Sequence, residues 1–228
     1  MSTGSGMSLE NRVPLIIGIV PLLVFHLTHV LSAAAGHVPW CIPYWQGCTS
    51  ISATGRAGLS FYVFKAVMLP AAVLLWWFWR GCWRRLLLAE APGSRAPGFL
   101  LLGTLGAIFL SIYTAALGLQ GDNFQLARRI GVICFFGFTF LSQLLFTWHL
   151  ERRQLGGPLR HLLTAICLTT LLAGLLTVIL DVSLANYADY EDSFEWSITL
   201  LMQMYFVASH WVWRSLGNSR PAFISYPK

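Results

Sequence analysis

The sequence predicts an all-α polytopic membrane bundle of six transmembrane helices with both termini cytoplasmic, and three observations predict it. The first is composition: the 228 residues are 56% hydrophobic and only 11% charged, against roughly 25% charged in a soluble domain. The second is length. Six apolar runs follow one another, Val13–Ala35, Leu59–Trp79, Gly98–Leu119, Ile130–Trp148, Leu162–Leu180 and Trp196–Trp213, each close to the ~20 residues that cross a bilayer. The third is charge placement. With both ends inside, Arg12, Arg80, Arg84, Arg85, Arg95, Arg152, Arg153, Arg160, Arg214, Arg220 and Lys228 lie inside, and only Arg56, Lys65, Arg128 and Arg129 lie outside, 11 against 4 of the 15 cations. An inner excess of Lys and Arg orients membrane proteins this way. A helix satisfies its own backbone in lipid, so residues 1–228 read as a single helical domain. The net charge of +6 is then an insertion signal and not a footprint for nucleic acid. The partner it leaves is membrane lipid, with protein partners unspecified.

In chain order, Met1 to Asn11 is a polar lead without a signal-peptide cleavage pattern. The first run carries His26 and His29, three apart and therefore on one helical face. They read either as hydrogen-bonded bundle histidines or as part of a site lining. A haem or metal pair would need matching histidines on a facing helix, and no other run supplies one in its outer half, so neither metal nor cofactor is expected.

Gly36 to Gly55, GHVPWCIPYWQGCTSISATG, is the longest polar interruption in the first half. Cys41 and Cys48 fall on the outer side, where oxidation is permitted, so a local disulfide is expected, although spacing alone does not establish its geometry. The segment ends in Thr49, Ser50, Ser52, Thr54 and Arg56. Those hydroxyls and that cation suit a lipid phosphate or a glycan, and equally suit plain interfacial solvation. Lys65 lies about two turns into the second run, where an insertion scale charges about 2.5–3.5 kcal/mol for a cation. It either snorkels outward or points into the bundle, with Glu195 the nearest partner by depth.

Arg84 and Arg85 form a basic inner turn suited to anionic lipid. Gly103, Gly106, Ala107, Ala115 and Ala116 make the third run narrow enough for close packing. The connection Gly121–Arg129 is short, so the third and fourth runs are antiparallel neighbours. Cys82, Cys134 and Cys167 sit at membrane depth as packing residues. The acidic outer stretch NYADYED lacks the glycine and ligand spacing of a calcium loop. Neither a phosphate-cradling glycine loop, a zinc-protease pair nor a nucleophile elbow occurs.

Several segments together resemble a known family. They are Phe25-His26, Cys41 through Pro43, SISATG at Ser50–Gly55, YVFK at Tyr62–Lys65, Asp122–Phe124 ahead of the fourth run, and Phe194–Trp196 opening the last run towards His210-Trp211. The chain resembles the six-span family of post-GPI-attachment-to-proteins factor 2, the N-terminal region of the fungal GPI-to-ceramide remodelling protein and the damage-regulated autophagy modulators. Two positions depart from that pattern. Ala127 and Arg128 stand where the family often has a His, and Phe206 stands near another family His. The resemblance implies binding or remodelling of lipid in the outer or lumenal leaflet. The 13 Arg against 2 Lys indicate a GC-rich, bacterial genome, where GPI is no substrate and the location is the cytoplasmic membrane. In a eukaryote it would be the Golgi or ER membrane.

Three functions are compatible with these residues. A lipid-handling protein, enzyme or accessory, would use His26 as base with Glu195 orienting it, and Ser52, Arg56, Lys65 and Asp122 around a headgroup. A small transporter is the second, although no half-and-half repeat is present. The third is a structural or regulatory bundle whose polar groups satisfy one another.

Overall fold

The structure, a computed structural model, describes residues 9–89, 98–184 and 187–218. Among the described residues there are eight helices and no strand: α1 (Leu9–Ala34), α2 (Pro43–Gln46), α3 (Ile51–Thr54), α4 (Gly58–Ala89), α5 (Gly98–Ala116), α6 (Asp122–Arg152), α7 (Leu159–Ser183) and α8 (Ala188–Asn218). The six long helices take up the six apolar runs in order. Of the eleven cations expected on the inner side, Arg95, Arg220 and Lys228 lie outside the described residues.

Each long helix packs on the next, α1 on α4, α4 on α5, α5 on α6, α6 on α7, α7 on α8, and α8 closes the ring against α1 while also touching α4. The helices run alternately up and down. The two short helices therefore sit at one end, here termed the cap end, and the start of α1 meets the final turns of α4 and α8 at the other. There Arg84 Nη1 donates to Glu10 (3.2 Å), Arg85 Nη2 donates to Asn11 Oδ1 (2.7 Å), and His210 Nδ1 lies 2.9 Å from the Asn11 carbonyl.

Local signals set the helix ends. Gly36 takes the left-handed conformation at φ 73°, with His37 N–H on the Ser32 carbonyl (2.9 Å) and Gly36 N–H on Ala33 (3.0 Å). This paired pattern is a Schellman stop. Pro43 opens α2 from its first positions and Gly47 closes it, while Ser50 caps α3 by accepting the Ala53 N–H. The closeness of α5 and α6 has a steric cause. A Cβ on Gly131 would stand 3.0 Å from the Tyr113 backbone, and one on Gly106 would stand 2.7 Å from Thr139 Oγ1. Small residues at these two points let the backbones approach.

Five helices, α1, α4, α5, α6 and α7, are long and apolar enough to cross a membrane. α8 matches them in length but not in apolarity. Much of it is enclosed by the other helices. Trp196, Tyr205, Phe206, Val212 and Trp213 are buried in the core, as are its polar Thr199, Gln203, Ser209 and His210. A helix that faces protein on most sides carries polar groups that a lipid-facing helix cannot. α7 shows the converse, with Leu172, Val178, Ile179 and Val182 all outward.

Candidate functional site

The insert between α1 and α4 folds into a cap lying over the start of α8. Cys41 and Cys48 are disulfide-bonded with Cα atoms 6.6 Å apart. Trp196 Nε1 donates to the Thr49 carbonyl (2.9 Å), Ser193 Oγ donates to the Pro43 carbonyl (3.1 Å), and Thr28 and Thr54 hydroxyls meet at 3.0 Å. The Ile51 and Ser52 N–H groups bond the Glu195 carboxylate. A four-residue helix has no stability of its own, so these contacts are what hold α2 and α3 in place.

Beside the cap lies a cavity of about 870 Å³. α6 faces it with Asp122, Gln125, Leu126, Arg128, Arg129, Val132, Ile133 and Phe136; Tyr187 and the start of α8 face it with Glu191, Phe194, Glu195 and Ile198. The cap adds Ser52 and Arg56, α5 adds Tyr113 and α7 adds Thr177. The spacing within α6 and α8 is three and four residues, which places each set along one helical face. Charged groups of the cap and of the first turns of α6 and α8 share the cavity with apolar side chains one to two turns further along those two helices. α6 and α7 are tied together near their connecting turn, where Glu151 accepts from Arg160 (3.0 Å) and Thr164 (2.8 Å). Towards the cap end the cavity separates Ile133 and Phe136 of α6 from Thr177 of α7.

A second, smaller cavity of about 30 Å³ adjoins it, sharing Tyr113, Val132, Phe136 and Glu195 as walls and lined further by Thr199, Met202 and Gln203. Thr199 Oγ1 and Gln203 Oε1 are buried there without a hydrogen-bond partner. A space of this size holds about one water molecule.

The charged groups of the cavity are held apart. Arg56 Nη2 donates to Ser52 Oγ (2.6 Å) and Arg128 Nη1 to the Leu119 carbonyl (3.1 Å). Among the described residues no ion pair joins any of the cavity's arginines to Asp122, Glu191 or Glu195. Glu195 precedes the sixth apolar run. Its burial, reinforced by the Asp192 carboxylate and to a lesser extent that of Glu191, pushes its pKa up to about 7, against the opposing pull of the Ile51 and Ser52 N–H groups. Asp192 is raised as well, by burial and by Glu191, with Arg56 opposing.

Of the residues the sequence singles out, Ser52, Arg56, Asp122 and Glu195 line this cavity. His26 and Lys65 do not. His26 is exposed, with Nδ1 2.8 Å from the Leu22 carbonyl and Nε2 3.2 Å from the Tyr44 hydroxyl, its ring edge-on to Trp196 at 5.4 Å. Lys65 turns to α5, donating to the Ala115 carbonyl (2.9 Å) over the Phe61 ring. The base, its orienting acid and the outer cation of an acid–base mechanism are therefore not gathered in one place. His29 is buried, 3.2 Å from the Cys41 carbonyl. Among the described residues no three His, Cys, Asp or Glu side chains form a metal centre.

Sequence reasoning missed Arg128, Arg129 and Glu191 as site residues, along with the unpartnered Thr199 and Gln203. A signal was present. Asp122, Gln125, Arg129, Val132 and Phe136 fall on one face of α6, and Glu191, Glu195 and Thr199 on one face of α8. No family model, curated protein or solved structure matches the chain.

Proposed function

We propose that this is a six-span membrane protein with its cap end outside the cytoplasm, and that the cavity beside the cap binds the phosphate-bearing headgroup of a lipid from the outer leaflet. One observation carries the reading: a single large cavity holds Arg56, Arg128 and Arg129 towards the cap end and Val132, Ile133, Phe136 and Ile198 further along α6 and α8. Guanidinium groups present planar pairs of donors that fit phosphate oxygens, and the apolar side chains suit the glycerol and first methylenes below a headgroup. The separation of α6 from α7 at this end supplies a side entrance from the bilayer. The geometry favours binding over turnover, because His26 lies outside the cavity.

The test is lipid retention. The purified chain should carry phospholipid detectable by native mass spectrometry, and Arg128→Gln with Arg129→Gln should reduce that complement by about tenfold, or about 1.4 kcal/mol. A folded double variant that retains its full complement would sink the reading and leave a bundle whose polar groups only satisfy one another.

A further inference from the structure

The cavity carries both signs of charge, and that combination bears on which headgroup it takes. Arg56, Arg128 and Arg129 approach from the cap and α6, whereas Glu191 and Glu195 approach from α8, four residues apart and so on one face. Opposite charges sharing one cavity normally close into ion pairs, yet none forms among the described residues. Arg56 and Arg128 are occupied by Ser52 and the Leu119 carbonyl, and Glu195 is held by the α3 backbone. Glu191 and Arg129 have no side-chain partner among the described residues and line the cavity free. A simple anion would meet the arginines but be repelled by the glutamates, and a simple cation would suffer the reverse. A ligand with both charges is favoured by both walls.

The acid wall continues inward as a ladder of oxygens on the same face of α8, Glu191, Glu195, Thr199 and Gln203. Thr199 is 5% and Gln203 7% exposed, and the Thr199 hydroxyl and Gln203 carbonyl oxygen reach no partner while lining the smaller cavity. Oxygens without donors, beside two carboxylates, call for a ligand rich in N–H groups. A primary ammonium brings three; a quaternary ammonium brings none.

Resting on the reading that the cavity binds a lipid phosphate, we propose that its ligand is a zwitterion of the phosphoethanolamine kind: a phosphate ester on Arg56, Arg128 and Arg129, with a primary ammonium a few atoms away on Glu191 and Glu195. The same head chemistry occurs on a lipid and free in solution.

The full chain in detergent micelles would be titrated with dihexanoyl phosphatidylethanolamine, its N-acetyl derivative, dihexanoyl phosphatidylcholine and soluble phosphoethanolamine. The ethanolamine lipid should bind about tenfold tighter than the N-acetyl and choline lipids. Glu191→Gln, at an exposed position, should erase that preference by weakening the ethanolamine lipid, while the N-acetyl lipid, an anion relieved of one facing carboxylate, binds no more weakly than before; Glu195→Gln should act likewise if it folds. Arg128→Gln with Arg129→Gln should weaken all three lipids together. Equal binding of the three lipids, with the arginine variant still weakening them, would overturn the zwitterion and preserve the phosphate site. Binding of none would overturn both. Soluble phosphoethanolamine binding as tightly as the lipid would keep the zwitterion and overturn its lipid source.

Discussion

Glu195 accepts hydrogen bonds from the α3 backbone and also lines the cavity, so its protonation state touches both the cap and the site. Its carboxyl would lose its proton near 4.5 in an unfolded chain and near 7 in the folded one. Between those values the folded state holds a proton the unfolded state has released, so stability falls as pH rises through this window and levels off above it. The groups around Glu195 are Asp192 and Glu191 on α8, Arg56 from the cap, Tyr113 on α5, and Asp122, Arg128 and Arg129 on α6. Asp192 acts in the same direction from a lower starting value. We therefore expect the melting temperature in detergent to decline from about pH 5 to about pH 8, and Glu195→Gln, which cannot ionise, to flatten much of that decline. An unchanged slope in the variant would assign the titration to another group.

The cap is the element that brings Ser52 and Arg56 to the cavity, and its own helices are too short to persist alone. Its stability comes from the Cys41–Cys48 bridge and from the bonds that Trp196 and Ser193 make to it. Closing so short a loop contributes on the order of 2 kcal/mol in the chain-entropy account. Replacing both cysteines with Ala should lower the melting temperature and open residues 36–57 to protease before the long helices yield. Lipid retention should fall with it, because Arg56 rides on this element. Equal protease resistance with and without the bridge would show that α8 alone holds the cap. The turn chemistry here was legible in the sequence, since Pro43, Gly47 and Ser50 act on their immediate neighbours. The seat of the cap on α8 was not, because Trp196 Nε1 reaches Thr49 across 147 positions and nothing local marks that pairing.

At the scale of the molecule, the six apolar runs and the close α5–α6 contact were readable because both are patterns within single segments. The site was not readable in the same way. Arg129 and Glu191 join it only once α6 and α8 stand on opposite sides of one cavity, and Lys65 leaves it because its ammonium donates to the Ala115 carbonyl over the Phe61 ring. α8 belongs to the same class of difficulty. Its Thr199, Gln203, Ser209 and His210 count against a membrane span when hydropathy is averaged, yet all are buried within protein, where they cost little lipid exposure. Its final turns pack beside the start of α1, with Arg85 stacked on Trp213 at 3.8 Å, so both described ends lie opposite the cap. This arrangement makes a prediction about topology. In a background with Cys134 replaced by Ser, a cysteine at Gln120 should react with an impermeant reagent added outside intact cells. Cysteines at Arg152 and at Arg214, both exposed positions at the far end, should react only after the membrane is opened. Labelling of Arg214→Cys from outside together with Gln120→Cys would mean that α8 does not cross. Labelling of Arg152→Cys and Arg214→Cys without Gln120→Cys would invert the whole bundle and place the arginine cavity in the inner leaflet.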